Sequence, residues 1–178
     1  VQDEIADAFI KMLSGAMQRL QTGNPSQLSS DLGPIIDETS RTRIVDHVTE
    51  FRRHFPVIGE APAPVLDTGP YVSPIAFEIN AISDLKEEVF GPLMAVLVFD
   101  DETEVLRRAN DTHYGLSGAV FTSDFARAHR VANQIEAGSV WINDYNALPA
   151  SIPFGGYKQS GVGRENGLTT LEHFTQHK

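Results

Sequence analysis

The sequence predicts an α/β fold, a mainly parallel sheet with helices on both faces, and three observations predict it. Apolar residues recur at helical spacing in four stretches, short apolar runs rich in strand-forming residues lie between them, and from residue 93 onward the order is strand, helix, strand, helix, strand. At 178 residues, 41% hydrophobic and 21% charged, residues 1–178 fit a single domain with one sizeable core.

Residues 2–20 place Ile5, Phe9, Leu13, Met17 and Leu20 on one stripe, widened by Ala6, Ile10 and Ala16. This spacing predicts an amphipathic helix, stopped by Gly23, Asn24 and Pro25. Asp37 stands where it can cap a second helix with an apolar face of Ile44, Val48, Phe51 and Phe55, closed by Pro56. Residues 59–70 carry Pro62, Pro64 and Pro70 and read as a loop before a strand at 71–79. Strands are predicted at 93–99, 117–121 and 139–143. The helices between them span 102–110 and 123–135, the second turning Phe125, Ala128, Ala132 and Ile135 inward and ending near Gly138. Strands joined in this way are expected to run parallel through right-handed crossovers.

A formal charge of -10 and a pI near 4.9 argue against nucleic acid and against an anionic membrane, because both reward clustered Lys and Arg. The first residues are acidic and amphipathic, unlike a signal peptide, and no apolar run could span a bilayer, so a cytoplasmic protein is expected. The chain has no cysteine. Disulfides, thiolate metal sites and thiol nucleophiles are therefore excluded within it.

The glycine-rich stretch PFGGYKQSGVGRENG, residues 153–167, invites a phosphate-loop reading but fails its tests. After Gly156 and Gly161 come Val162 and Gly163 where a P-loop needs Lys and Ser or Thr, and a dinucleotide fingerprint from Gly161 and Gly163 meets Asn166 where it needs a small residue. A nucleophile elbow around Ser160 would need glycines at 158 and 162, where Lys158 and Val162 stand. Of six histidines only His173 and His177 have i, i+4 spacing, and solvated helix-face histidines are the plainer reading than zinc. Asp100, Asp101 and Glu102 fall between a strand and a helix, where acids cap the N-terminus.

Three blocks, EEVFGP at 87–92, RANDTHYGLSGAVFT at 108–122 and the glycine-rich stretch at 153–167, resemble the aldehyde dehydrogenase superfamily in order and spacing. GNP, DLGPIID and SVWIN extend the resemblance along the whole chain, which then corresponds to the C-terminal part of that family's catalytic domain without its nucleotide-binding domain. Residues before about 92 resemble the pyrroline-5-carboxylate dehydrogenase part of proline-utilisation proteins, and residues after it resemble betaine aldehyde dehydrogenases. A chimera joined at EVFGP is one reading of that difference; a single intermediate subfamily is the other.

The resemblance implies NAD or NADP as cofactor in a complete enzyme that oxidises a small aldehyde, betaine-aldehyde-like or glutamate-semialdehyde-like, to its acid. The family's cysteine nucleophile has no counterpart here, so the chain alone is expected to be inactive and to hold no catalytic residue. Glu88 matches the glutamate that binds the nicotinamide-ribose hydroxyls, and Phe90 the aromatic beside the nicotinamide; a surface acid on a short helix and a core phenylalanine are their plainer readings. Phe154 matches the aromatic of the substrate funnel, with Tyr145 as a further wall. Lys158 and Gly161 match residues whose backbone carbonyls bind a monovalent cation, potassium, in some relatives. The loop NDYNALPASIPFGG lacks the Gly-Ala pair that holds the carboxylate of glutamate semialdehyde in relatives, which argues against that substrate. A homo-oligomer is expected. The competing expectation is a stand-alone, non-catalytic or engineered module of the same family.

Overall fold

The computed structural model describes residues 1–66, 68–176 and 178. It divides into two compact units, Val1–Asp101 and Glu102–Lys178. Among the described residues no helix is long and apolar enough to cross a membrane.

The first unit opens with α1 (Asp3–Met17) and α2 (Glu38–His54). The stripe predicted for α1 is rotated from its expected centre: Ala6 and Met17 are buried, whereas Ile5 is 58% exposed. Small Ala6 lets the helix backbone approach its neighbour, and the bulkier Ile5 is left at the rim. On α2 the expected face is the one used. Ile44 and Phe51 are buried, and Val48 and Phe55 pack against the cluster of Phe51, Ile75, Phe77 and Ile79.

Asp37 caps α2 as its position predicts, its carboxylate accepting from the Ser40 backbone N–H at 2.7 Å. That hydrogen bond holds the Asp37 carboxyl below the usual aspartate range. Stability supplied this way is present above the unfolded-state pKa and is lost as pH falls through the lower folded-state value. Asp37→Ala is therefore expected to lower the unfolding midpoint at neutral pH, and the gap to wild type should close in acid. Asp37→Asn, which keeps an acceptor, should retain most of the midpoint in thermal melts read by circular dichroism.

Three strands, β1 (Val57–Glu60), β2 (Ile75–Glu78) and β3 (Leu93–Val96), form one sheet in the order β1-β2-β3. β2 and β3 run parallel with Phe77 beside Ala95, and β1 is an antiparallel edge with a register irregularity between Val57 and Gly59. The loop predicted from residue 59 thus begins too early. A four-residue strand starting directly after Pro56 carries no alternation that a sequence window could detect, and its bulge breaks the period further. The alternation from 93 onward does not make one continuous ladder either, since the hydrogen-bonded neighbour of β3 is β2.

In the second unit α3 (Glu102–Asn110), β5 (Ser117–Val120), α4 (Phe125–Ala132) and β6 (Ser139–Ile142) follow the predicted order, and β5 pairs parallel with β6. Ala128 is buried at 1% exposure on α4, but Phe125, expected inward, is 78% exposed and lies edge-on to His129 at 4.5 Å. Asp124 caps α4 through the Arg127 N–H at 3.0 Å, so Phe125 falls at the first helical position, before the helix has turned to its buried face. Glu102 is no cap. Its two oxygens accept from Arg130 Nε and Nη2 at 2.7 and 2.8 Å, which fastens the start of α3 to α4 and holds the Glu102 carboxyl below the usual glutamate range. Short strands β4 (Tyr114–Gly115) and β7 (Tyr157–Lys158) pair antiparallel, and α5 (Thr169–Phe174) closes the described chain.

Candidate functional site

The first group of expected site residues follows a 3-10 turn at Ile82–Asp84. The Asp84 carboxylate accepts from the backbone N–H of Asn80 and Ala81, at 3.1 and 2.9 Å, and so fixes where the next segment starts. Residues 85–92 then run irregularly into β3, with tight turns closed by Gly91 N–H to Val89 O at 2.9 Å and Leu93 N–H to Gly91 O at 2.8 Å. The helix considered for Glu87 and Glu88 is absent, because these turns and Pro92 consume the residues it would need. Glu88 is exposed, and its carboxylate forms no hydrogen bond or ion pair among the described residues. Phe90 is 84% exposed. One loop therefore presents a carboxylate and an aromatic ring two residues apart, both uncovered.

Ser83, Asp84, Lys86, Glu87 and Val89 form one wall of a groove of about 560 Å³. The opposite wall is the face of α2 carrying His47, Glu50, Phe51 and His54. Neither histidine stands out in the sequence, although their spacing to Phe51 on the helix is visible there.

The remaining residues lie in the second unit. Tyr145 is 67% exposed and meets Trp141 edge-on, 5.5 Å between centroids, while the Trp141 indole N–H donates to Ala147 O at 2.9 Å. Trp141 thus holds its loop and backs the ring of Tyr145. Phe154 is half-buried and anchors the glycine-rich stretch through a two-way bridge to Glu165, with N–H to O distances of 2.7 and 2.8 Å. Between those ends the chain turns back on itself around Arg164, whose Nη1 donates to Gly156 O and Gly163 O at 3.0 and 2.7 Å. The guanidinium also lies 5.3 Å from the centre of the Tyr157 ring.

Lys158 and Gly161 occupy the tip of this turn, both at positive φ, 52° and 145°. The Lys158 ammonium donates to Asn110 O and Thr112 O at 2.8 and 3.2 Å and pairs with Glu136 at 2.7 Å. A cation on the last carbonyls of α3 is favoured by the helix dipole, so this side chain ties the tip to the end of that helix. His173 Nε2 accepts from the Arg164 N–H at 3.2 Å, a structural use of the histidine considered for zinc, while His177 lies outside the described residues. Among the described residues no cluster of three or more His, Cys, Asp or Glu could hold a metal ion.

The model of the aldehyde dehydrogenase family matches residues 1–178. The chain belongs to the aldehyde dehydrogenase family. It is 42% identical over 183 aligned residues to a betaine aldehyde dehydrogenase of Sinorhizobium fredii, covering all of this chain and 38% of that protein. It is 44% identical over 187 aligned residues to a 4-trimethylaminobutyraldehyde dehydrogenase of Rattus norvegicus, again covering 38% of the relative. Among solved structures it resembles an aldehyde dehydrogenase from Bacillus cereus, with TM-score 0.92, 34% identity, and coverage of 99% of this chain and 36% of that one. It also resembles the NAD+ complex of a betaine aldehyde dehydrogenase from Staphylococcus aureus, with TM-score 0.90, 36% identity, and coverage of 98% and 36%. This aldehyde dehydrogenase chain thus spans little more than a third of the length of the relatives it matches. Its α/β architecture is that of its family neighbours.

Proposed function

We propose that this chain supplies the nicotinamide-side and substrate-side surfaces of an NAD-dependent aldehyde dehydrogenase acting on a small quaternary-ammonium aldehyde. The observation that carries the reading is the loop at 88–90, where Glu88 has no partner among the described residues and Phe90 is 84% exposed. The similarity to an enzyme solved with NAD+ supports NAD as the cofactor. NAD, when bound, would supply the hydride acceptor for aldehyde oxidation. Within this chain, Glu88 would accept hydrogen bonds from the two ribose hydroxyls, and Phe90 would cover one side of the nicotinamide.

The substrate class rests on the relatives, named for betaine aldehyde and for 4-trimethylaminobutyraldehyde. Phe154 and Tyr145 are the aromatic faces offered to a trimethylammonium group, which such rings attract electrostatically. The match to betaine aldehyde dehydrogenases covers all of this chain, including the residues before 92 for which a proline-utilisation likeness was expected. That coverage favours a single betaine-type origin over a recombined sequence. Lys158 and Gly161 carbonyls would give a monovalent cation two hard oxygens. Two do not make a shell, so the remaining ligands would come from outside this chain and no step is routed through the ion.

The nucleophilic thiolate must also come from outside, since the chain has no cysteine. The isolated chain is expected to form no NADH with any aldehyde, whereas the complete polypeptide containing it should do so, in a homo-oligomeric state. In that complete protein, Glu88→Gln is expected to raise KM for NAD roughly tenfold to a hundredfold, the value of charge-assisted hydrogen bonds to two hydroxyls. The aldehyde KM should stay as it was. An unchanged NAD KM in steady-state assays of NADH formation overturns the role given to Glu88.

A further inference from the structure

The groove between α2 and residues 83–89 joins the cofactor loop to a helix that carries none of the expected site residues. His47, Glu50, Phe51 and His54 lie at i, i+3, i+4 and i+7 on α2 and therefore share one face. From the loop, Glu87 and Val89 line the same groove, whereas Glu88 and Phe90 do not. The side chains thus alternate along the loop: two turned toward α2 and, between and after them, the two uncovered groups of the cofactor surface. Whatever holds Glu87 and Val89 also sets the direction of Glu88.

One polar contact crosses from α2 to Glu87. His47 Nε2 lies 3.5 Å from Glu87 Oε1, with the His47 side chain 29% exposed and Glu87 71% exposed. The other carboxylates on the groove have partners of their own. Glu50 is held by His54 and Arg53, both at 2.9 Å, and Asp84 by the backbone N–H of Asn80 and Ala81. Lys86 lines the loop side. His47 is therefore the α2 group available to Glu87.

We propose that His47 is a positioning residue: by pairing with Glu87 across the groove, it fixes the direction in which Glu88 meets the nicotinamide ribose. The inference rests on the cofactor role given to Glu88 above. A contact this exposed contributes little, so removing it should change NAD affinity about two- to fivefold.

The test is steady-state kinetics of the complete polypeptide carrying His47→Ala, Glu87→Gln, both together, and His47→Arg. Each single variant is expected to raise KM for NAD two- to fivefold while leaving kcat and the aldehyde KM unchanged. The double variant should be no worse than either single one, and His47→Arg, which keeps a nitrogen donor at this position, should return KM toward wild type. A general loosening of the fold would move kcat and both KM values together. Glu87 is exposed, so Glu87→Gln keeps the test valid even if His47→Ala disturbs α2. Effects of the two substitutions that multiply in the double variant, or NAD KM values unmoved by either, overturn the proposal while Glu88→Gln still raises KM. If Glu88→Gln itself has no effect, the cofactor reading of Glu88 fails, and the route through which His47 acts fails with it.

Discussion

Phe77→Ala is expected to destabilise the first unit by about 3–5 kcal/mol, a large part of the roughly 5–15 kcal/mol that holds a domain folded. Phe77 is fully buried, its ring 5.5 Å from that of Phe51 and tilted by 55°. It sits at the centre of the cluster through which α2 meets the sheet, together with Ile75, Ile79, Leu93 and Leu97. Truncation would lose the transfer free energy of the ring and leave a cavity that two neighbouring strands, tied by their ladder, cannot close. Chemical denaturation followed by far-UV circular dichroism measures the loss. The only tryptophan of the chain, Trp141, belongs to the second unit, so its fluorescence reports that unit separately. A destabilisation below about 1 kcal/mol would mean that the core around Phe77 relaxes in a way its packing does not indicate.

That core was legible in the sequence because periodicity encodes it directly. Ile44, Val48, Phe51 and Phe55 repeat at helical spacing next to a capping Asp37 and a terminating Pro56, and each signal agrees with the others. Where one residue had to decide between burial and exposure, the sequence was less informative. Ile5 and Phe125 are apolar at positions compatible with a stripe, yet they fall at its rim or in the first helical turn and remain exposed. β1, β4 and β7 are pairings of two to four residues, too short for a two-residue period to register.

The site was legible only by resemblance. Nothing in the spacing of Glu88 or Phe90 distinguishes a cofactor surface from a solvated acid and a core ring. The groups that hold the site in place were less visible still. His47, Trp141 and Arg164 contact neighbours 40, 6 and 8 residues away in sequence, at Glu87, Ala147 and Gly156. Such pairings exist only once the loops have closed.

Gly138→Ala should have the largest effect in the second unit, about 3 kcal/mol or more, because the added methyl would meet backbone that has nowhere to go. A Cβ built on Gly138 lies 1.7 Å from Gly155 O, far inside contact distance. Either partner could move only by breaking something else. Gly138 N–H donates to Gly115 O at 3.0 Å, and Gly115 N–H donates to Ser160 Oγ at 2.9 Å, so shifting Gly138 pulls on β4 and on the tip of the glycine turn. Gly155 follows Phe154, so shifting it strains the two hydrogen bonds between Phe154 and Glu165. The expected result is an earlier unfolding transition in Trp141 fluorescence and, in the complete polypeptide, a raised aldehyde KM with NAD KM unchanged, because Phe154 is displaced while the loop carrying Glu88 is not altered. Gly15→Ala on α1, where nothing lies within 4 Å of the added carbon, is the matched control and should stabilise by about 0.5–1 kcal/mol through helix propensity. A Gly138→Ala protein as stable as wild type would mean that residues 138 and 155 approach less closely than the structure shows, and the hairpin holding Phe154 would have to be rebuilt.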